Sequence, residues 1–336
     1  MHRLVRRRWA MAIAAVLVAA VVFLPLRTRS LRSRTRPLRA YADAVQRVAA
    51  MRAFEQPLVN RYGGTILLTH GVRAPRVAVL LHGLTATPRQ FQALAEELFA
   101  RGYDVFVPRM PMHGERGRDA TALSALTADT LRSFADDAID IAHGLGDTVD
   151  VLGLSGGATI AAWIAQHRAG VRHVVIVAPA LAFSRMPRAL EDPAMQLLAR
   201  LPNVNVGASA DTAKPQVYAG FSTRAVAQTM RLGAEVRDDA GRIAPAARSI
   251  ALVTNGNDRT IDAGAALALG DRWTQHGATV TRFQFDAALG LPHDVVDQGE
   301  RCADATLVYP VLVALLEGRP APPVASRSVP HDCINR

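Results

Sequence analysis

The sequence predicts an α/β fold with a mostly parallel sheet and helices on both of its faces. Short apolar runs alternate along the chain with segments of helical periodicity, which is typical of parallel strands that are buried on both sides. The predicted strands are residues 65–69, 76–81, 103–107, 149–154, 171–177, 249–254 and 279–285. The predicted helices of the main domain are residues 88–101, 121–144, 158–168, 261–276 and 294–316. No internal repeat or low-complexity tract competes with this prediction.

Length and charge narrow the class of protein. A chain of 336 residues is long enough for one large α/β domain with an insertion. The net charge of +10 comes entirely from residues 1–40, which hold ten arginines and no acidic residue. Because the rest of the chain is neutral, this distribution argues against a nucleic-acid-binding face and for contact with anionic lipid headgroups.

Residues 9–26 form an uncharged apolar stretch with arginines on both sides. As a helix this stretch would be about 27 Å long, close to the ~30 Å hydrocarbon core of a bilayer. We therefore expect a single-pass membrane anchor inside a basic leader, residues 1–40. A cleaved signal peptide is the main alternative, although no small-residue cleavage site follows the stretch. The arginine counts on the two sides do not decide the orientation.

The chain beyond the leader divides into three further parts, one of which contains an insertion. Residues 41–75 are expected to supply a linking helix and the first strand, and residues 76–318 the main domain. The alternation of strands and helices stops between residues 182 and 247, where several prolines and two helical pieces indicate an inserted helical cap. Residues 319–336 are rich in proline and serine, and we expect them to form a C-terminal tail.

A serine framed by glycines, Gly153-Leu154-Ser155-Gly156-Gly157, ends one of the predicted strands. If a helix begins at Gly156, Ser155 lies on a sharp strand-to-helix turn with its hydroxyl exposed. Side chains at Gly153 or Gly157 would collide where the strand and helix backbones approach each other. The pattern alone is common, so an ordinary glycine-rich turn remains the alternative until its context is considered.

Two more polar residues follow the ends of predicted strands, where ligands bind in open α/β sheets. These residues are Asp258 and His293. A serine hydroxyl needs a base to take its proton, and the imidazole of that base needs a carboxylate to hold its tautomer. The order Ser155, Asp258, His293 supplies all three roles. Asp262 is an alternative acid, but we expect it to lie inside the following helix.

These motifs, in this order and spacing, resemble the α/β-hydrolase family, and within it the bacterial carboxylesterases and monoacylglycerol-lipase-like enzymes. The resemblance covers residues 76–316 and depends on His82-Gly83-Leu84, residues 108–114, the elbow around Ser155, the turn at residues 255–258 and His293-Asp294. It implies that Ser155 is the nucleophile, His293 the general base and then acid, and Asp258 the orienting carboxylate. It also implies an oxyanion hole made by the backbone N–H groups of Leu84 and Gly156.

The resemblance implies a serine hydrolase that cleaves carboxylic esters, either short to medium acyl esters or monoacyl lipids, through an acyl-enzyme. The alternatives are a non-catalytic binding protein of the same fold, an acyltransferase and a thioesterase. The loop at residues 82–85 lacks the extra glycines of the His-Gly-Gly-Gly esterases, so we expect no preference for bulky or tertiary-alcohol esters. The cap matches no pattern that identifies the acyl or alcohol group.

Other polar residues are expected to have structural roles. His82 and His113 precede glycines and are expected to form hydrogen bonds with the loop backbone. We expect His276 to cap the end of a helix and Asp294 to cap the last helix from its first turn. No cysteine and histidine set has the spacing of metal ligands, so we expect neither a metal site nor a cofactor.

The chain has two cysteines, Cys302 and Cys333. A disulfide between them would fit a periplasmic or otherwise extracytoplasmic domain, whereas two free thiols would fit the cytoplasmic side. We favour the extracytoplasmic side, and the cytoplasmic face of the membrane stays open. The sequence does not indicate an oligomeric state.

Overall fold

The structure is a computed structural model that describes residues 6–13, 16, 31–117, 120–182, 186–207, 217–218 and 220–334. It is built around a central sheet. Its strands, together with a short separate ribbon, are β1 (Ile66–Leu68), β2 (Ala74–Leu81), β3 (Asp104–Val107), β4 (Gly146–Leu154), β5 (Val171–Val177), β6 (Asn205–Val206), β7 (Phe221–Ser222), β8 (Ser249–Asn255) and β9 (Thr279–Phe285). Over these residues the main sheet has the strand order β1-β3-β2-β4-β5-β8-β9. Strand β1 runs antiparallel to β3, and the other neighbouring strands are parallel.

Helices cover both faces of this sheet. They are α1 (Tyr41–Glu55), α2 (Gln92–Ala100), α3 (Ala128–Leu145), α4 (Gly156–His167), α5 (Arg188–Arg200), α6 (Thr223–Ala240), α7 (Ala263–Gln275) and α8 (Ala305–Leu316). Alternate residues of β2 enter two different cores: Val77 and Val79 pack with residues of α1, α3 and α4, whereas Ala78 and Leu80 pack with α2 and α8. The predicted α/β class, with a mostly parallel sheet between two helical layers, is therefore confirmed.

The segment between β5 and β8 leaves the sheet and lies over the ends of its strands. Within the described residues it contains α5, α6 and the ribbon β6–β7, in which Val206 pairs with Phe221. Helix α6 lies close to the main domain at Gly233. A Cβ at this position would lie only 2.9 Å from Leu181 Cδ2. Buried Met195 of α5 packs against α6 in a small core of its own.

The end of the leader packs onto the main domain. Residues 31–40 form no regular secondary structure and make hydrogen bonds to residues of α3 and α4. The indole N–H of Trp163 donates a hydrogen bond to the carbonyl oxygen of Leu31 (2.9 Å). The backbone N–H of Arg34 donates to Asp136 Oδ2 (2.8 Å). Both partners on the domain side are buried, so these contacts attach the leader firmly to the helical layer.

The predicted membrane span, residues 9–26, lies mostly outside the described residues. Residues 6–13 are helical, and residues 14–15 and 17–30 are not described. A search of the described part of the chain finds no helix that combines the length and the apolar character needed to cross a bilayer.

The prediction for the last helix was wrong at its start. Helix α8 begins at Ala305, where the carboxylate of Asp304 caps the free N–H groups of the first turn. Asp294 lies well before this helix and caps nothing in it. Instead, its Oδ1 accepts hydrogen bonds from the backbone N–H groups of Val296 (3.1 Å) and Asp297 (3.0 Å), which turns the chain into a loop.

Asp262 does not lie inside the helix, contrary to the prediction. Helix α7 begins one residue later, at Ala263, and Asp262 is its N-cap residue, with Oδ1 accepting from the N–H of Gly264 (2.8 Å). His276 occupies the C-cap position of the same helix, as predicted.

The C-terminal tail is attached to the domain at several points. A disulfide joins Cys302 to Cys333, whose Cα atoms are 5.9 Å apart. The guanidinium of Arg327 donates to the carbonyl oxygens of Leu289 (2.8 Å) and Cys302 (2.7 Å) and to Asp304 Oδ2 (3.1 Å). The tail therefore lies against the loop that precedes α8.

Candidate active site

Ser155 lies on a strained turn between β4 and α4. Its backbone has φ 56° and ψ −116°, a region that costs a residue with a side chain about 1–3 kcal/mol. Neighbouring backbone groups hold the turn: the N–H of Ser155 donates to the carbonyl of Val177 (3.0 Å), and its own carbonyl accepts from Ala180 (3.2 Å) and Thr159 (3.1 Å). This backbone conformation places the hydroxyl at the carboxyl end of the sheet, as the glycine pattern predicts.

The glycines beside this serine are required by close backbone contact. A Cβ at position 153 would lie 2.3 Å from the carbonyl oxygen of Gly157, and a Cβ at Gly157 would lie 2.0 Å from the carbonyl oxygen of Leu81. Both distances are far below ordinary van der Waals contact. Strand β4, the start of α4 and the end of β2 can therefore approach one another only with glycine at these two positions.

The structure brings the three predicted residues of the triad together. His293 Nε2 lies 2.9 Å from Ser155 Oγ, and His293 Nδ1 lies 2.7 Å from Asp258 Oδ2. The Asp258 side chain is only 4% exposed, whereas that of His293 is 23% exposed and faces the site. Because a carboxylate is an acceptor, Nδ1 carries the proton and Nε2 is left to accept a proton from the serine hydroxyl.

Two asparagines, neither of them predicted as a site residue, hold the acid and base loops together. The side-chain N–H groups of Asn255 donate to the carbonyls of Leu291 and Pro292, both at 2.9 Å. Those of Asn257 donate to Leu291 (3.0 Å) and to Cys333 (2.9 Å) in the tail. The sequence did contain a signal for this role, because the two asparagines flank a glycine directly before the predicted acid. Asparagine side chains often form hydrogen bonds with the backbone of turns.

The two predicted oxyanion donors lie side by side. Gly156 is the first residue of α4, so its N–H has no partner within that helix. A Cβ at Gly156 would lie 3.1 Å from the backbone nitrogen of Leu84, which shows how closely the two backbones approach. The positive end of the α4 dipole lies at the same place and would stabilise negative charge there.

Two buried histidines support the loop that carries Leu84, as predicted. The N–H of Met110 donates to His82 Nε2 (3.1 Å), so the proton of His82 lies on Nδ1, 2.9 Å from the carbonyl oxygen of Gly83. His113 Nε2 lies 2.7 Å from the carbonyl oxygen of Leu84. Burial lowers the pKa of His82 well below 6.5 and that of His113 to about 4, although the carbonyl oxygens of Leu84 and Pro111, 2.7 Å and 2.8 Å from the two ring nitrogens of His113, oppose the shift in that ring.

A mostly apolar cavity of about 370 Å³ opens beside Ser155. The cap supplies Phe221, Val226 and Met230 to its wall, and the main domain supplies Leu84 and Ile261, among others. Polar groups are few, and Gln90 and Asp294 lie among them. Within the described part of the chain, no group of three His, Cys, Asp or Glu residues is arranged to hold a metal ion.

Comparisons with known proteins find monoacylglycerol lipases and lipolytic enzymes among the similar chains. The thermostable monoacylglycerol lipase of Bacillus sp. (strain H-257) is 30% identical over 107 residues, which is 30% of this chain but only 39% of that lipase. The crystal structure of Paleococcus ferrophilus monoacylglycerol lipase has a TM-score of 0.56 at 19% identity, over 75% of this chain and 98% of that one. A structure of the metagenome-derived lipolytic enzymes LipS and LipT has a TM-score of 0.55 at 18% identity, over 78% of this chain and 100% of that one.

At such identities the solved structures establish the fold alone. The family assignment comes from a family model described as the alpha/beta hydrolase family, which matches residues 78–305. This range is more than half of the chain and contains all five predicted site residues. The chain therefore belongs to the alpha/beta hydrolase family.

Proposed function

We propose that the protein is a serine hydrolase that cleaves carboxylic esters through an acyl-enzyme intermediate. The observation that carries this proposal is the unbroken chain of contacts from Ser155 Oγ to His293 (2.9 Å) and from His293 to Asp258 (2.7 Å). A non-catalytic member of the fold has no need of a strained serine turn or of a buried carboxylate behind an imidazole.

The proposed reaction has two halves. In the first, Ser155 Oγ attacks the ester carbonyl carbon while His293 Nε2 takes its proton, and the C=O electron pair moves to the oxygen. The N–H groups of Leu84 and Gly156 stabilise this oxyanion. The oxyanion then re-forms the C=O bond, the ester C–O bond breaks, and His293 gives its proton to the leaving alcohol, which leaves the acyl group on Ser155 Oγ. In the second half, water takes the place of Ser155 as nucleophile, the acid is released and Ser155 regains its proton.

The cavity supports an apolar acyl group as the part of the substrate that is bound next to Ser155. Its wall is formed largely by aliphatic and aromatic side chains, including Phe221 and Met230 of the cap. The named relatives are monoacylglycerol lipases and lipolytic enzymes. We propose short to medium acyl esters or monoacyl lipids as substrates. Acyl transfer and thioester hydrolysis would use the same triad, and the substrate screen below separates ester hydrolysis from thioester hydrolysis.

We also propose that the leader anchors the domain at a membrane, with residues 9–26 as the span and the flanking arginines at the headgroups. The packing of residues 31–40 along α3 and α4 supports a short, fixed connection between leader and domain. The disulfide between Cys302 and Cys333 supports an extracytoplasmic domain. Alkaline extraction of membranes from expressing cells tests the anchor: release of the protein into the supernatant would contradict it.

The function is tested by steady-state turnover of p-nitrophenyl esters and acyl thioesters of increasing acyl length, using the purified full chain in detergent. We expect ester hydrolysis with a burst of p-nitrophenol, and a loss of at least about 10⁴-fold in Ser155→Ala. The matched control is Ser124→Ala, a serine outside the cavity lining, which should keep the wild-type rate. Equal turnover in Ser155→Ala, or turnover of thioesters alone, would contradict the proposed ester hydrolysis.

A further inference from the structure

One buried glutamine connects the loop of the oxyanion donors to the loop of the base. The backbone N–H of Gly83 donates to Gln90 Oε1 (2.8 Å), and Gln90 Nε2 donates to Asp294 Oδ2 (2.6 Å). Gly83 directly precedes Leu84, and Asp294 directly follows His293. A single side-chain amide therefore bridges the two loops, and Gln90 and Asp294 themselves are 204 residues apart in the chain.

The bridge needs an amide at this position. Gln90 must accept from an N–H group at one end and donate to a carboxylate at the other, and among uncharged side chains an amide offers both in a fixed geometry. Gln90 is 5% exposed, so water cannot readily replace either bond. The other oxygen of Asp294 is already occupied by the N–H groups of Val296 and Asp297, which ties the carboxylate to the loop behind His293.

We infer that Gln90 is a positioning residue that sets the distance between the Leu84 oxyanion donor and the His293 base. The inference rests on the proposed function, because it concerns the geometry of the same reaction. In that reaction the oxyanion and the proton acceptor develop opposite charges at the same moment, so their relative position affects the rate more than it affects substrate binding. A displacement of about 1 Å in such a site can lower the rate about 100-fold.

The first test is Gln90→Met, which keeps the length and shape of the side chain but has no amide. We expect kcat to fall about 10- to 100-fold while KM changes less than about threefold. The matched control is Gln166→Met. This second glutamine is also buried and its Oε1 accepts from the Trp273 indole (2.6 Å), but it does not line the cavity. It should lose stability and keep kcat. Equal kcat losses in the two variants would overturn the inference.

The second test is the pH dependence of Gln90→Glu. An ionised glutamate lacks the donor and faces the Asp294 carboxylate, whose pKa burial already raises. Two carboxylates in one site share a proton as the pH falls, and that proton restores the donor. The kcat of the variant relative to wild type should therefore rise as the pH falls. A kcat ratio that is low and does not rise on acidification would contradict the bridge.

A third measurement does not depend on turnover. In a Ser155→Ala background, hydrogen exchange followed by mass spectrometry should show faster exchange in peptides covering residues 82–86 and 291–297 when Gln90→Met is added. Gln166→Met should leave both peptides unchanged. If esters are not turned over but both loops loosen together, the proposed function fails and the bridge stands. Unchanged exchange in both loops would refute the bridge itself.

Discussion

The tightest backbone contact of the site offers a sharp prediction, the effect of Gly157→Ala. A Cβ at this position would lie 2.0 Å from the carbonyl oxygen of Leu81 and 2.5 Å from that of His82, whereas ordinary contact begins near 3.4 Å. The start of α4 and the end of β2 would have to separate by about 1.4 Å. Overpacking of this kind costs about 1–3 kcal/mol of unfolding free energy. The shift also moves the oxyanion loop that follows β2, so we expect kcat to fall about 100-fold.

Urea denaturation and ester turnover of the same preparations measure both effects of Gly157→Ala. The matched control is Gly64→Ala, because a Cβ at Gly64 would meet no atom within 4 Å. The control should keep the wild-type unfolding free energy to within about 0.5 kcal/mol, as well as the wild-type kcat. If the two variants have the same unfolding midpoint and the same kcat, the argument from backbone approach is refuted.

Two further predictions concern stability. Reduction of the disulfide between Cys302 and Cys333, which are 31 residues apart, should lower the unfolding free energy by about 3–4 kcal/mol. Urea denaturation with and without reductant measures this loss, and equal unfolding midpoints would contradict the prediction. Burial lowers the pKa of His113 from 6.5 to about 4, so between these pH values the unfolded chain binds a proton that the folded protein does not. The unfolding free energy should therefore fall by up to about 3 kcal/mol as the pH is lowered from 6.5 towards 4. His113→Gln should flatten this dependence, whereas the exposed His276→Gln should keep the wild-type slope; equal slopes in all three proteins would be the contrary result.

Local patterns in the sequence predicted which residues lie together at the edge of the sheet. The apolar run of β4 and the glycines around Ser155 act through neighbouring backbone, so the sequence around the serine already contains the reason for the turn. Asp258 and His293 each follow a strand of a parallel sheet, and the carboxyl ends of such strands meet at one edge. Their position at the same edge as Ser155 follows from the topology, whereas the short distances between them also depend on loop contacts such as those of Asn255 and Asn257.

The contacts that support the site were harder to predict, because their partners are distant in the chain. Aspartate is a residue type that often caps helices, so the sequence suggested a cap at Asp294. Only the fold shows that Gln90, 204 residues earlier, donates a hydrogen bond to that carboxylate instead. The tail was predicted from its prolines and serines, but its bonds through Arg327 and its contact with Asn257 depend on the loop before α8. In the cap, short amphipathic helices indicate helical structure without indicating which side chains reach the cavity.

The most direct test of the central claim is to identify the residue that reacts with a fluorophosphonate probe. The wild-type protein is labelled to completion, digested, and the modified peptide is sequenced by tandem mass spectrometry. The account predicts a single adduct on Ser155, its absence in Ser155→Ala, and unchanged labelling in Ser124→Ala. An adduct on another residue, or labelling that persists in Ser155→Ala, would contradict the assignment of Ser155 as the nucleophile.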